Sequence, residues 1–459
     1  MTRAATPAPA KRAKQDTGLA ARRGAAGLVT AVLRDRVPLN DCFAEGVNGA
    51  GRAAALAALD QRDRAFARQI AATTLRRLGQ IDAILGHCLK RPLPKTAAFI
   101  MDVLRMGVAQ LLYLQTPAHA TVDSSVRLAD DHPGAFKGLV NGVLRRISRE
   151  ADALTAAYHE PTLNTPDWLR TSWRGAYGDE VTNAIARAHL ADPPLDITIK
   201  EEHSREHWAE RLEASTLATG TLRRRTGGRI EDLPGFAEGT WWVQDVAAAL
   251  PARILMSGLR DAGKGSARVL DLCAAPGGKT AQLAAAGFDV TAVDISRTRL
   301  DRVRANLDRL GLAARLVAAD AMDFRPGQTF DGILVDAPCS TTGTLRRRPD
   351  VAHLKHPRDL AGLTKLQHRL LNAAIGLLAP GGLLVYAACS LQPEEGEGQI
   401  ERLLQDPNCG LHRHPVTPGE IGGLAECLSA AGDLRTLPCH LRDEGGMDGF
   451  YAARLVKAA

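Results

Sequence analysis

Two cysteines stand just beyond short apolar runs: Cys389 after Leu384-Val385-Tyr386-Ala387-Ala388, and Cys339 within Asp336-Ala337-Pro338-Cys339-Ser340. Upstream lies the loop Cys273-Ala274-Ala275-Pro276-Gly277-Gly278-Lys279. Its glycines let the backbone approach a ligand closely, and a helix opening behind it favours a carboxylate or phosphate. A thiolate at a strand end can attack a ring carbon when cations or helix dipoles lower its pKa. The chemistry that needs such a thiolate is methylation at a pyrimidine carbon. C5 of cytosine is too weak a nucleophile to take a methyl group from a sulfonium directly. Addition of a thiolate at C6 breaks the aromaticity and places enamine-like density on C5. A carboxylate on N3 and the amino group would stabilise that adduct, and Asp336 ends the right strand for it. A second cysteine could then assist elimination. On residue type and position alone, the two thiols have equal standing.

The competing reading of the loop is a phosphate-binding one, because Gly278-Lys279-Thr280 matches the end of Gly-x-x-x-x-Gly-Lys-Ser/Thr, and Ile333 to Asp336 could pass for a magnesium-binding strand. The first position of that motif is Cys273, however, and Pro276 has no N–H to offer a phosphate. Asp294 closes the next strand, where an acidic side chain accepts both ribose hydroxyls of a nucleoside cofactor. Gly-x-Gly-x-x-Gly is missing from the first turn, which disfavours a dinucleotide. Asp320 follows the third strand, where a carboxylate could accept from an adenine amino group.

These groups need a scaffold, and the texture of the chain supplies one. After Trp241, short apolar runs alternate with amphipathic helices, the mark of a doubly wound, Rossmann-like α/β sheet. Strands are expected at Val269 to Leu272, Val290 to Val293, Arg315 to Ala318, Gly332 to Val335 and Leu383 to Ala387. Ser296 should cap a helix that Gly311 closes. From Gly18 to Glu150 apolar residues recur at three- and four-residue spacing, broken at Pro92, Pro94, Pro117 and Pro133, which predicts an all-α domain. The expected organisation is a disordered basic tail over 1–17, the all-α domain over 18–150, a small linking α+β subdomain over 151–240 and the α/β domain over 241–459.

The chain of 459 residues is 45% hydrophobic and 24% charged, which fits a multidomain soluble protein. No run approaches the length of a membrane span, so a cytoplasmic protein with no membrane partner is expected. Eight cysteines without a Cys-x-x-Cys pair describe neither a disulfide framework nor a metal site. The net charge is +7, and basic clusters at Lys11 to Lys14, Arg22-Arg23, Arg145-Arg146, Arg223 to Arg225 and Arg346 to Arg348 favour a polyanionic partner. Arg346 to Arg348, on the loop after Cys339, are candidate RNA-phosphate contacts.

Over Trp241 to Leu455 the chain resembles the RNA 5-methylcytosine methyltransferases of the Nol1/Nop2/Sun group. The resemblance is carried by Cys273 to Lys279, Asp294, Asp320, Asp336 to Ser340, Arg347-Arg348-Pro349-Asp350, Cys389-Ser390 with Pro393-Glu394-Glu395, and Asp448-Gly449-Phe450. It implies that Cys389 is the covalent nucleophile, that Cys339 promotes product release and that Asp336 orients the base. It also implies S-adenosyl-L-methionine as cofactor, held by Cys273, Ala274, Ala275, Pro276, Gly277, Gly278, Lys279, Asp294, Asp320 and Asp336. Ala388 departs from the threonine usual before the cysteine, and Gly396 from an asparagine common after the glutamates. The amino-terminal helices resemble the antitermination factor NusB, through Asp63 to Ala67, Leu104 to Gly107 with Gln110 to Leu112, and Val140 to Arg146. The fusion implies a cytosine of 16S rRNA as target, in naked RNA or in an assembling small subunit. The alternative is a non-enzymatic RNA-binding or ribosome-assembly factor that retains the fold.

Overall fold

The computed structural model describes residues 10–225 and 227–459, in two compact units. The first comprises residues up to Thr171 together with Arg348–Lys355. The tail expected over 1–17 lies outside the described residues as far as residue 9, and from Ala10 the chain is already helical, as part of Ala10–Thr30. Further helices run over Gln61–Arg76, Leu78–Cys88, Ala98–Val108, Ala118–Asp130 and Lys137–Arg149. Asp60 starts the Gln61–Arg76 helix by accepting from the backbone N–H of Asp63 at 2.8 Å. Leu28, Val29, Ile70, Ile84, Val103, Leu104, Leu144 and Ile147 are buried in one shared core. Gly107 lets two helices close up, since a Cβ there would lie 2.7 Å from the Leu144 methyls. Contrary to the expectation that no run is long enough, Lys95–Tyr113 is long and apolar enough to cross a membrane. Its Ile100, Val103, Leu104 and Val108 are fully buried in the helical core, which accounts for the apolarity.

The segment Arg348–Lys355 packs with this helical unit although it follows the Cys339 loop in sequence. Asp350 Oδ2 accepts from the Leu39 N–H at 3.1 Å, and the ring of His353 bonds the Leu75 carbonyl at 2.8 Å. Burial lowers the His353 pKa.

The second unit comprises Ser172–Arg347 and His356–Ala459. The linking subdomain expected over 151–240 is therefore divided. Its helix Ala151–Ala157 belongs to the first unit, while β1 (Leu195–Ile199), β2 (Ser215–Thr216), β3 (Leu222–Arg224) and β4 (Trp241–Val243) form a four-stranded antiparallel sheet in the second. Asp196 and Arg223, both fully buried, pair across β1 and β3 at 2.7 Å. The larger sheet contains β5 (Arg268–Leu272), β6 (Asp289–Asp294), β7 (Arg315–Ala318), β8 (Phe330–Asp336), β9 (Leu378–Ala388), β10 (Leu411–Arg413), β11 (Leu434–Thr436) and β12 (Phe450–Lys457). Its order is β10-β12-β9-β8-β5-β6-β7, with β11 on β12. Strands β5 to β9 pair in parallel, and β12 returns antiparallel to β9. Because β6 and β8 flank β5 on opposite sides, the winding direction reverses at β5, where open α/β sheets bind ligands beyond the strand ends.

Local signals place the connecting elements. Ser296 accepts from the Arg299 N–H at 3.3 Å to start helix Arg297–Leu310, and Gly311 ends it at φ 62°. Helix Pro357–Leu377 begins with Pro357 and a reciprocal His356/Asp359 cap.

Candidate active site

The loop beyond β5 is organised by backbone geometry. Cys273 sits at φ 61° and Gly277 at φ 95°, and the helix Gly278–Ala285 opens immediately afterwards. A Cβ at Gly277 would meet Val303 at 2.8 Å, so the position has room for glycine alone. Asp294, 2% exposed, pins this turn: Oδ2 accepts from the Ala275 N–H at 3.1 Å and Oδ1 from the Ser296 N–H at 2.9 Å. Asp320 accepts from the Met322 N–H at 2.9 Å. A carboxylate has about four lone-pair positions, so each aspartate retains capacity for ligand hydroxyl or amino groups.

A cleft of about 450 Å³ opens beside this loop, lined by Ala274, Pro276, Lys279, Asp336, Cys389 and Phe450 among others. Asp294 and Asp320 are not among its walls. Lys279 Nζ bonds Asp336 Oδ2 at 2.7 Å and lies 5.1 Å from the centre of the Phe450 ring. Burial pulls the Lys279 pKa down, but the adjacent Asp336 carboxylate outweighs it and the ammonium titrates above the ordinary lysine value. Burial, then Asp336 and Asp294, push the Cys273 thiol up to about 12, which suits a structural thiol rather than a nucleophile.

Cys339 and Cys389 meet with their sulfurs 3.3 Å apart. Cys339 is buried, whereas Cys389 is partly exposed at the cleft. The hydrogen bond with Cys389 and then burial raise the Cys339 pKa well above the usual thiol range. Behind the thiols, Ser340, Thr342 and Ser390 form a buried hydroxyl cluster with separations of 3.1 to 3.2 Å, and Glu395 accepts from Ser340 and Ser390.

Residues 262–456 match the model described as 16S rRNA methyltransferase RsmB/F, and residues 20–149 match that of the NusB family. Ribosomal RNA small subunit methyltransferase B of Pseudomonas putida is 36% identical over 461 residues, covering 95% of this chain and 98% of that protein. The chain belongs to the 16S rRNA methyltransferase RsmB/F family. The Klebsiella pneumoniae protein of the same name is 36% identical over 419 residues, covering 87% and 91% of the two chains. The crystal structure of PH0851 shares the fold, with a TM-score of 0.72 at 21% identity over 96% of this chain and 99% of that one. The structure of NSun6 from Pyrococcus horikoshii with SFG gives a TM-score of 0.52 at 22% identity, covering 64% and 98%.

This RsmB/F-family chain is an S-adenosylmethionine-dependent methyltransferase of ribosomal RNA. The non-enzymatic alternative is thereby set aside. The left-handed turn at Gly277 and the remaining accepting capacity of Asp294 and Asp320 fit a nucleoside-bearing cofactor.

Two sequence expectations change. Arg346 is 1% exposed and bonds Asp448 Oδ1 at 3.4 Å and the Gly445 carbonyl at 2.6 Å. Arg347 joins Asp245 at 2.6 Å and Asp448 at 3.2 Å. Arg346 is thus a buried structural cation with no face for a phosphate, whereas Arg347, with a quarter of its side chain exposed, is committed to two ion pairs. Arg22 and Arg223 are likewise buried, against Gln110 and Asp196, so these basic clusters are only partly solvent-facing. Two participants were missed. Asp271 is fully buried on β5, accepts from Thr280 Oγ1 at 2.6 Å, and burial raises its pKa to about 7. A charged residue inside the apolar run Val269-Leu270-Asp271-Leu272 is a readable signal. Glu395 gave only a motif match, because two of its three partners, Ser340 and Gln367, lie 55 and 28 positions away in sequence. Among the described residues, no group of three or more His, Cys, Asp or Glu is placed to hold a metal ion.

Proposed function

We propose that the enzyme methylates C5 of a specific cytosine in 16S rRNA through a covalent bond between Cys389 and C6. The observation that carries this reading is the pair of thiols 3.3 Å apart, with Cys389 on the wall of the cleft that also contains Lys279 and Asp336. S-adenosyl-L-methionine, when bound, would supply an electrophilic methyl group there and leave as the thioether S-adenosylhomocysteine, and Cys273 to Lys279, Asp294, Asp320 and Asp336 would hold it. Cys389 sulfur, as the thiolate, adds to C6 of the unstacked base and shifts the C5–C6 electron pair toward C5. Asp336, steadied by Lys279, accepts from the base edge and orients it. Once C5 carries the methyl group, its proton passes to solvent water, the C6–sulfur bond breaks, the C5–C6 double bond returns and Cys389 leaves as thiolate. Cys339, within hydrogen-bond reach, stabilises that departing sulfur.

The helical unit serves RNA binding, and the substrate is 16S rRNA, either naked or in an assembling small subunit. All eight cysteines are free, which suits the reducing cytoplasm as compartment. Incubation with methyl-labelled cofactor and unmethylated 16S rRNA, followed by bisulfite mapping, tests the reading. One labelled cytosine is expected. Absence of incorporation under conditions where the RNA binds overturns it.

A further inference from the structure

Glu395 is fully buried, and both its oxygens act as acceptors. Oε1 accepts from the Ser340 N–H at 2.8 Å and from Gln367 Nε2 at 3.1 Å, while Oε2 accepts from the Ser340 and Ser390 hydroxyls. Four polar contacts from three residues thus converge on one carboxyl group. Ser340 directly follows Cys339 and Ser390 directly follows Cys389, so one side chain joins two loops that are 50 residues apart in sequence. Further bonds restrain the same joint. The Tyr386 hydroxyl donates to the Glu395 carbonyl at 2.7 Å, Thr342 Oγ1 accepts from the Leu391 N–H at 3.0 Å, and the Gly343 N–H donates to the Cys389 carbonyl at 3.1 Å.

We propose that Glu395 is a positioning residue for methyl transfer: it ties the Ser340 and Ser390 loops together so that Cys339 remains a protonated thiol beside Cys389, which alone carries the nucleophilic charge. The inference rests on the roles given above to the two cysteines. A buried anion behind Cys339 disfavours a second anion on that sulfur, and Glu395 acts in that direction, after the Cys389 hydrogen bond and burial. An S–H pointed at a neighbouring thiolate stabilises the latter. Glutamine at 395 would keep the volume, but its amide nitrogen donates, leaving at least one of the donors converging there without an acceptor.

The test uses the full-length protein and two independent readouts. The first is iodoacetamide alkylation of each cysteine, followed by mass spectrometry from about pH 7 to 10, a range spanning the ordinary thiol pKa. The second is methyl incorporation into unmethylated 16S rRNA. In the wild type, Cys389 should react while Cys339 stays silent. In Glu395→Gln, Cys339 should become reactive at lower pH, and kcat should fall about 10²-fold, the scale of a misplacement near 1 Å. KM for the cofactor should stay within about twofold, because its loop is not held by Glu395. Glu395→Asp, which keeps the charge, should restore part of the alkylation selectivity. Ser340→Ala and Ser390→Ala repeat the test with smaller disturbance should the glutamine variant fold poorly. Wild-type alkylation order and rate in Glu395→Gln and both serine variants would overturn the proposal, as would equal exposure of all eight cysteines. If the wild type transfers no methyl group, the functional reading falls, while alkylation still judges Glu395.

Discussion

The β5/β6 end of the cleft and the β8/β9 end stand on the same sheet edge but are held by different kinds of bond. At the first, the shape is a property of the backbone: Cys273 and Gly277 turn left-handed, and Asp294 accepts from the main-chain N–H groups of Ala275 and Ser296. Many of its contacts are short in sequence, as the 19-residue separation of Ala275 and Asp294 illustrates. At the second, side chains from Ser340, Thr342, Gln367, Ser390 and Glu395 converge in a buried interior. A backbone-built site tolerates side-chain change and fails on a misplaced Cβ. A side-chain network instead depends on every member, because an orphaned buried polar group keeps its desolvation penalty.

The sharpest way to break the contrast is at the thiols. Cys389→Ala should abolish both methyl incorporation and the covalent protein–RNA complex seen on denaturing gels. Cys339→Ala should do the reverse of the second effect, accumulating a denaturation-resistant adduct while multiple turnover collapses. The opposite pattern would exchange the two roles.

Backbone substitutions probe the two ends next. At Gly343 a Cβ would lie 1.9 Å from the Gly449 carbonyl oxygen, and main chain cannot swing aside. Gly343→Ala should cost about 1–3 kcal/mol by denaturant unfolding and lower kcat, since the Gly343 N–H holds the Cys389 carbonyl. Gly277→Ala should cost about 1–3 kcal/mol through its left-handed φ. Its functional effect should be weaker cofactor binding by calorimetry, with little change in the reactivity of Cys389. Equal effects of both variants on cofactor affinity would erase the distinction.

The smallest effect belongs to Asp271, the buried carboxyl beneath the loop. Its folded pKa of about 7 stands above the unfolded value of about 3.9, so folding favours the neutral acid. The associated stability is complete below about pH 3.9 and is lost as pH rises through about 7. Asp271→Asn should flatten the decline in thermal midpoint across that window. At pH 8 it should unfold no earlier than the wild type, and an unchanged pH profile would remove Asp271 from the account.

Much of the scaffold was legible. The strand expected at Arg315 to Ala318 forms with those ends, and Ser296 and Gly311 bound their helix as their capping chemistry requires. The loop, Asp294 and the two strand-end cysteines were also visible, since each follows from residue type beside a periodic run. Arg346 and Arg347 misled, because a run of arginines looks the same whether it faces water or Asp245 and Asp448. The outline of the linking region was less legible, because Ala151–Ala157 groups with the helical unit and the small sheet draws β4 from beyond residue 240.

By itself, then, the sequence determined what depends on neighbours along the chain: the existence and chain order of strands β5 to β9, though not the five extra residues at the start of β9, the caps of the helix between Ser296 and Gly311, and the placing of a thiol beyond each of two strands. Only the tertiary structure decided that those thiols touch, that Lys279 pairs with Asp336 across 57 positions, and that Glu395 joins Ser340 to Ser390. Periodicity and capping act within a few residues and leave a mark in the local pattern. Contacts between distant segments depend on how parallel strands order themselves in the sheet, and no local pattern encodes that order.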